Sequence, residues 1–203
     1  MPCLLKRDVR LILGKTGSGK TTLARRFVRS LPRALIFDNG FAEFPAVHFT
    51  DINELHNYLA IAGGKGGNFR AGFTPVESQY STLLTWALEL GNAEAVTLVL
   101  EECDRLPTPE CQDKFSEVVQ RGRHWGTHIL GLTTFPYAVN ADLRRQATEI
   151  YTFRQHEPRD LRWFSEVMAG DTLQEIANLG EYEYLRWQSK DGSIEKGKTT
   201  ADE

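Results

Sequence analysis

The chain of 203 residues has 24 basic and 27 acidic side chains, a net charge of −3, 41% hydrophobic residues and 25% charged residues. That balance suits one globular domain and excludes a polycation built to coat nucleic acid. No apolar run approaches the ~18 residues needed to span a bilayer, so no lipid insertion is expected.

Taken in chain order, the first strand is expected at Val9 to Leu13, an apolar run that stops at Gly14. The short apolar stretch before it is broken by charge and leads straight into a glycine-rich loop, so export is not expected. Leu23, Ala24, Phe27, Val28 and Leu31 then recur at helical spacing until Pro32 ends the helix. Ala34 to Phe37 reads as a second buried strand, closed by a turn at Asp38, Asn39 and Gly40. A short strand is expected around Ala46 to Phe49. Asp51 and Glu54 form a capping-box signature for a helix reaching about Ala62. Gly63, Gly64, Lys65, Gly66 and Gly67 read as a flexible surface loop, since no strand feeds them and no Lys-Thr or Lys-Ser pair closes them.

Thr74, Pro75 and Glu77 supply an N-cap, a first-turn proline and a capping glutamate, with Gly91 as the stop. Val96 to Leu100 is the next buried strand. Thr108 and Pro109 start a helix that should end near Gly122, followed by strands at His128 to Thr133 and Ile150 to Phe153. This alternation predicts an α/β fold, a mostly parallel sheet with helices on both faces. Gly170 and Gly180 punctuate two C-terminal helices, and Tyr182 to Gln188 with the Lys190-Asp191-Gly192 turn forms a hairpin. The expectation is therefore one domain over 1–203. It has a core over about 6–165, C-terminal helices and hairpin over 166–198, and a frayed tail over 199–203.

The chemistry begins at Gly14, Lys15, Thr16, Gly17, Ser18, Gly19, Lys20 and Thr21, which match GxxxxGK[ST] between a strand and a helix. Glycines there let backbone N–H groups curl around phosphates, and the helix N-terminus adds its positive end. With Thr22 in the first helical turn, these residues are the candidate ATP-binding set. Lys20 is expected between the β- and γ-phosphates, and the Thr21 hydroxyl on Mg²⁺. Hydrolysis needs acids as well, and VTLVLEECD supplies them at the end of an apolar strand. Glu101 is the candidate for the magnesium-bound water and Glu102 for polarising the attacking water. Most such motors place Asp first, so the assignment among Glu101, Glu102 and Asp104 stays open. The three cysteines, Cys3, Cys103 and Cys111, give no disulfide framework. Cys103, Cys111, His124 and His128 imitate a zinc quartet only superficially, being spaced too widely and spread over several elements.

The stretch RGRHWGTHILGLTTFP, Arg121 to Pro136, resembles the HerA/FtsK superfamily of DNA-pumping ATPases. In that family a basic residue three places before a glycine introduces a strand ending in a small polar motif and proline. Arg123 and Gly126 have this spacing, and the strand ends at Thr133, Thr134 and Pro136. The resemblance implies a RecA-like (ASCE) fold with this strand between the phosphate-loop strand and the acidic one. It implies Thr134 in the slot of the γ-phosphate-sensing glutamine. It also implies Arg123, or Arg121, reaching the neighbouring subunit's nucleotide. ADLRRQATEIYTFRQHEPRDLRWF continues the likeness toward small genome-packaging ATPases of membrane-containing viruses, with Arg144, Arg145 and Arg154 either at interfaces or on a solvated face. The implied activity is ATP-driven, sequence-independent translocation of double-stranded DNA by a homo-oligomeric ring, taken as a hexamer. A capsid-vertex or membrane protein would be a further partner, and the setting host cytoplasm or virion.

A P-loop nucleoside or nucleotide kinase is the alternative of similar size, separated by the Glu101-Glu102 pair, which activates the water a kinase excludes. A phage assembly or export ATPase shares most of the motifs. No NKxD-type guanine-reading tetrapeptide or LSGGQ-like signature occurs.

Overall fold

The computed structural model describes residues 8–38, 44–64, 66–168 and 172–200. Asn39 and Gly40 of the expected turn, Lys65 and Gly170 lie outside them. The strands are β1 (Val9–Leu13), β2 (Arg33–Phe37), β3 (Val47–Phe49), β4 (Phe69–Phe73), β5 (Val96–Leu100), β6 (Thr127–Thr133), β7 (Glu149–Phe153), β8 (Glu183–Gln188) and β9 (Ile194–Lys198). They form a single sheet in the order β3-β4-β2-β5-β6-β1-β7-β8-β9. Every pairing from β3 to β7 is parallel, and the β7–β8 and β8–β9 pairings are antiparallel. The expected placement of β6 between β5 and β1 is met, Leu98 pairing with Ile129 and Leu11 with Gly131.

The central strands are apolar on both faces because both are covered. Ile12, Val99, Leu130, Leu132 and Phe153 pack with Leu23, Ala24 and Val28 of helix α1 (Lys20–Ser30). Leu11, Leu13, Leu98, Leu100 and Ile129 face the larger cluster. That cluster takes in side chains of α2 (Ile52–Ala62), α3 (Tyr80–Ala93), α4 (Pro109–Trp125), α5 (Ala141–Arg145), α6 (Pro158–Ser165) and α7 (Thr172–Ala177). The two layers are lopsided: among the described residues, α1 alone supplies the helical side chains of one cluster.

Several helix boundaries differ from expectation for packing reasons. Gly91 does not stop α3. It lies inside the helix, where a Cβ would come within 2.2 Å of Thr127 Oγ1, so glycine lets α3 lie close on β6. Gly122 is likewise interior and buried, and α4 ends at Gly126 in the left-handed region, φ 71°. Thr74 does not cap α3; its hydroxyl donates to Asp38 Oδ1 at 2.8 Å, and a 3-10 turn at Glu77–Gln79 leads into the helix. Strand β4 was not foreseen, because FRAGF carries an arginine and a glycine inside a short apolar run. The glycine run is organised rather than loose. Arg33, 3% exposed, donates to the carbonyls of Gly63, Gly64 and Gly67 at 2.9–3.0 Å.

Candidate nucleotide site

Gly14 leaves β1 at the carboxyl edge of the sheet, its amide donating to the Thr133 carbonyl at 3.2 Å. A side chain would not fit there, since a Cβ would meet Ser18 Oγ at 2.7 Å and Phe153 Cβ at 2.8 Å. The loop turns back through Gly17 at φ 77° and Gly19 at φ 103°, a region that favours glycine. Helix α1 then starts at Lys20 with no side-chain cap. First-turn amides have no acceptor inside a helix, so those of Lys20, Thr21 and Thr22 remain for a ligand, reinforced by the helix dipole. At Gly17 an added Cβ would meet nothing within 4 Å, so the loop tip is open. Lys20 Nζ donates to the Lys15 carbonyl at 2.9 Å, across the mouth of the loop. Burial pulls its ammonium down to about 8, against the opposing pull of Glu101 and Glu102. A ring of main-chain donors around a desolvated cation suits a triphosphate.

Strand β5 delivers the acids. Glu101 N donates to the Phe37 carbonyl at 3.0 Å, extending the ladder one residue beyond the strand. Glu102 then swings into the left-handed region at φ 55°, strained for a non-glycine residue, and its carboxylate reaches Arg105 at 3.4 Å. Asp104 behaves differently. Its side chain is 4% exposed and accepts from Thr133 Oγ1, whose oxygen in turn accepts from Phe135 N at 2.8 Å. Asp104 thus ties the end of β5 to the end of β6, and the acids that act on Lys20 are Glu101 and Glu102.

Thr134 is half-buried and lines a cavity of about 580 Å³ with Lys15, Thr16, Tyr137 and Asp160. Arg123 is not in this neighbourhood. It sits at the end of α4, beside the start of β6, and seven residues of strand separate it from the loop. At ~3.3 Å per residue that is about 20 Å, beyond the reach of one side chain. Arg123 is exposed, and its Nε donates to His124 Nε2 at 3.0 Å. Arg121 is engaged within its own helix, pairing with Glu117 at 2.7 Å and lying 5.8 Å from the Trp125 ring centre. Arg144 pairs with Glu166 at 3.2 Å, while Arg145 and Arg154 are exposed.

Two features of the site escaped the sequence reading. The Asp104–Thr133 tie was one, although the acid itself had been singled out. The other lies in the supposed tail, where Thr199 is fully buried. Its amide donates to the Tyr182 carbonyl at 2.9 Å, and its hydroxyl lies 2.6 Å from where a Gly19 Cβ would stand. Tyr182 itself adopts φ 60°. The terminal hairpin therefore braces the phosphate loop, a contact spanning nearly the whole chain that no local pattern announces.

A mostly parallel sheet ending in this glycine-rich cradle, with β6 between the strand that leads to the lysine and the strand that carries the acids, defines a P-loop NTPase of the RecA-like class. A family model described as AAA domain matches residues 6–129, and the chain belongs to that family. Among solved structures, the fold is similar to the genome packaging NTPase B204 from Sulfolobus turreted icosahedral virus 2 in complex with AMPPCP. The TM-score is 0.75 at 18% identity, over 96% of this chain and 98% of that one. It is also similar to VirB4 of Thermoanaerobacter pseudethanolicus, with TM-score 0.68 and 12% identity over 97% and 90% of the two chains. The cytoplasmic domain of the Thermomonospora curvata type VII secretion ATPase EccC matches with TM-score 0.59 and 16% identity, over 94% of this chain and 25% of its own. No helix among the described residues is long and apolar enough to cross a membrane.

Proposed function

We propose that the chain is an ATP-hydrolysing translocase of double-stranded DNA, a genome-packaging motor subunit that works as a homo-oligomeric ring. The carrying observation is the separation of Lys20 and Arg123 across opposite edges of one sheet. An arginine so placed serves a neighbour's nucleotide and not its own. The end-to-end likeness in fold to a viral packaging NTPase supports the same reading.

In this mechanism the loop amides and Lys20 hold the β- and γ-phosphates. Thr21 and Glu101 would hold a magnesium ion, which when bound would neutralise phosphate charge. Glu102 accepts a proton from water as its oxygen attacks the γ-phosphorus; the bond to ADP breaks and phosphate leaves. Thr134 orients the water with an uncharged hydroxyl. The neighbour's Arg123 balances charge on the transferring group. Loop movements that follow hydrolysis pull on the DNA backbone without reading bases. The test is ATP turnover over a protein-concentration series, with and without duplex DNA, alongside phosphate transfer to nucleosides. Turnover per subunit that rises with concentration and with DNA supports the motor. Turnover indifferent to both, or transfer to a nucleoside, overturns it.

A further inference from the structure

Glu102 leaves β5 in a turn that is tied down on several sides. Cys103 N donates to the Leu132 carbonyl at 2.9 Å, Arg105 N donates to the Glu102 carbonyl at 2.8 Å, and Asp104 is bonded to Thr133. Within this turn Glu102 is held at φ 55°, a conformation that persists in a non-glycine residue only where its surroundings enforce it. Its carboxylate meets the Arg105 guanidinium at 3.4 Å. The same guanidinium lies 3.9 Å from Asp104 Oδ2 and 5.4 Å over the Phe135 ring. Phe135 is exposed, and its amide donates to Thr133 Oγ1 at 2.8 Å, so ring and acid ride on the same pair of strand ends. Beyond it the exposed Tyr137 ring packs edge-on at 6.2 Å and carries Arg159 4.3 Å above its centre. An unbroken strip thus runs from Glu102 through Arg105, Phe135 and Tyr137 to Arg159.

We propose that Arg105 is an autoinhibitory latch on Glu102, holding its carboxylate until a phosphate of the DNA backbone takes the guanidinium instead. This rests on the translocase reading, in which Glu102 serves the attacking water. An ionised carboxylate can only accept hydrogen bonds, and one committed to a guanidinium has less to offer a water molecule. The pair is exposed, 57% for Arg105 and 38% for Glu102, and pairs of that kind are weak. Weakness is what a latch requires, since it must yield to a better partner. A phosphodiester is that partner, because a guanidinium can grip it through two parallel N–H···O bonds, whereas a single nitrogen of Arg105 touches Glu102. Arg159, at the far end of the aromatic pair, supplies a second cation for the same backbone. The nearby carboxylate of Glu157 is offset by Lys15 at 3.8 Å.

The experiment is steady-state ATP turnover, with and without saturating duplex DNA, on wild type, Arg105→Ala, Arg105→Lys and Arg105→Ala combined with Glu102→Gln. Without DNA, Arg105→Ala is expected to raise kcat about two- to fivefold at unchanged KM, the worth of one exposed pair, and DNA should raise it no further. Arg105→Lys keeps the charge and should stay within about twofold of wild type in both conditions. The double variant should be as slow as Glu102→Gln alone, because the gain runs through that carboxylate. Salt separates a latch from a merely structural contact. Raising KCl from about 50 to about 300 mM screens the pair, so DNA-free turnover of wild type should climb toward that of Arg105→Ala, which stays level. DNA-free kcat of Arg105→Ala at or below that of wild type, or a change confined to KM, overturns the latch. An undiminished response of Arg105→Ala to DNA overturns the phosphate contact. Wild-type turnover that ignores DNA, with Arg105→Ala still the faster, would sink the translocase reading instead.

Discussion

Lys20 and Arg33 are two basic residues withdrawn from water at opposite edges of the same sheet, and they are provisioned in opposite ways. Arg33 is met by three glycine carbonyls and by Glu94 at 3.6 Å, and it holds a loop in place. Lys20 has one carbonyl, and burial pulls its pKa down to about 8; burial also lowers that of Arg33, but a guanidinium keeps its charge. The contrast extends to their surroundings. At the amino edge, His128 Nδ1 accepts from Asp8 N at 2.9 Å, and Arg10 joins Glu149 at 3.0 Å. At the carboxyl edge stand the strained Glu102 and Tyr182 and atoms of Ser18, Gln155 and Asp160 without partners among the described residues, although Arg33 Nε and Arg186 Nε lack them as well. A buried cation whose terminal nitrogens meet carbonyls, as those of Arg33 do although its Nε has no partner among the described residues, maintains the fold, whereas one left wanting is poised for a ligand.

Substitution should separate the two. Lys20→Ala is expected to lower ATP turnover by about 10³ or more, since it removes a charge aimed at the transferring phosphoryl group. Its Tm should hold within about 2 °C or rise, because a desolvated charge is lost. Arg33→Ala should do the reverse. It strands three carbonyls and costs roughly 2–3 kcal/mol, about 8 °C in Tm, with turnover per folded molecule preserved. Turnover assays paired with melting curves decide it. Equal effects of the two changes on both readouts would erase the distinction.

Glu102→Gln probes the same edge with a smaller change. Turnover should fall about 10²-fold while nucleotide affinity is kept, since only the proton acceptor is lost. Retention of more than half the activity would move that role to Glu101. The pH dependence follows from Lys20, whose proton leaves near pH 8 in the free protein, below its ordinary 10.5. Phosphate binding requires the ammonium, so above pH 8 each binding event must take up a proton, and affinity should fall up to about tenfold per pH unit. Calorimetry in buffers of differing ionisation enthalpy should find proton uptake at pH 8.5 and little at pH 6.5. No difference between them would refute the assigned role of Lys20.

Much of the carboxyl edge was legible in the sequence because its signals are local. Gly14 to Thr21 must be contiguous to form a cradle, and Glu101 must follow an apolar strand to arrive beside it. The placement of β6 between β5 and β1 came from the resemblance of Arg121 to Pro136 to the HerA/FtsK superfamily, and the rest of the strand order did not come from the sequence. What escaped depends on distant residues. Gly91 and Gly122 look like helix stops but lie inside α3 and α4, and Gly91 is a close-packing position legible only once β6 lies beneath α3. Strand β4 hides behind Arg70 and Gly72, whose neighbours supply the apolar setting that its own pattern lacks. Arg33 gathers the Gly63 to Gly67 run from some thirty residues away, so a stretch that reads as loose in isolation is pinned.

The central claim is that one copy's Lys20 and the next copy's Arg123 complete a single site. The direct test mixes Lys20→Ala with Arg123→Ala in equal amounts and follows phosphate release. Each variant alone should be inactive, and the mixture should recover up to about a quarter of wild-type turnover, the share of neighbour pairs that bring both intact residues together. A mixture no more active than its two components, at any ratio, would contradict a site shared between copies.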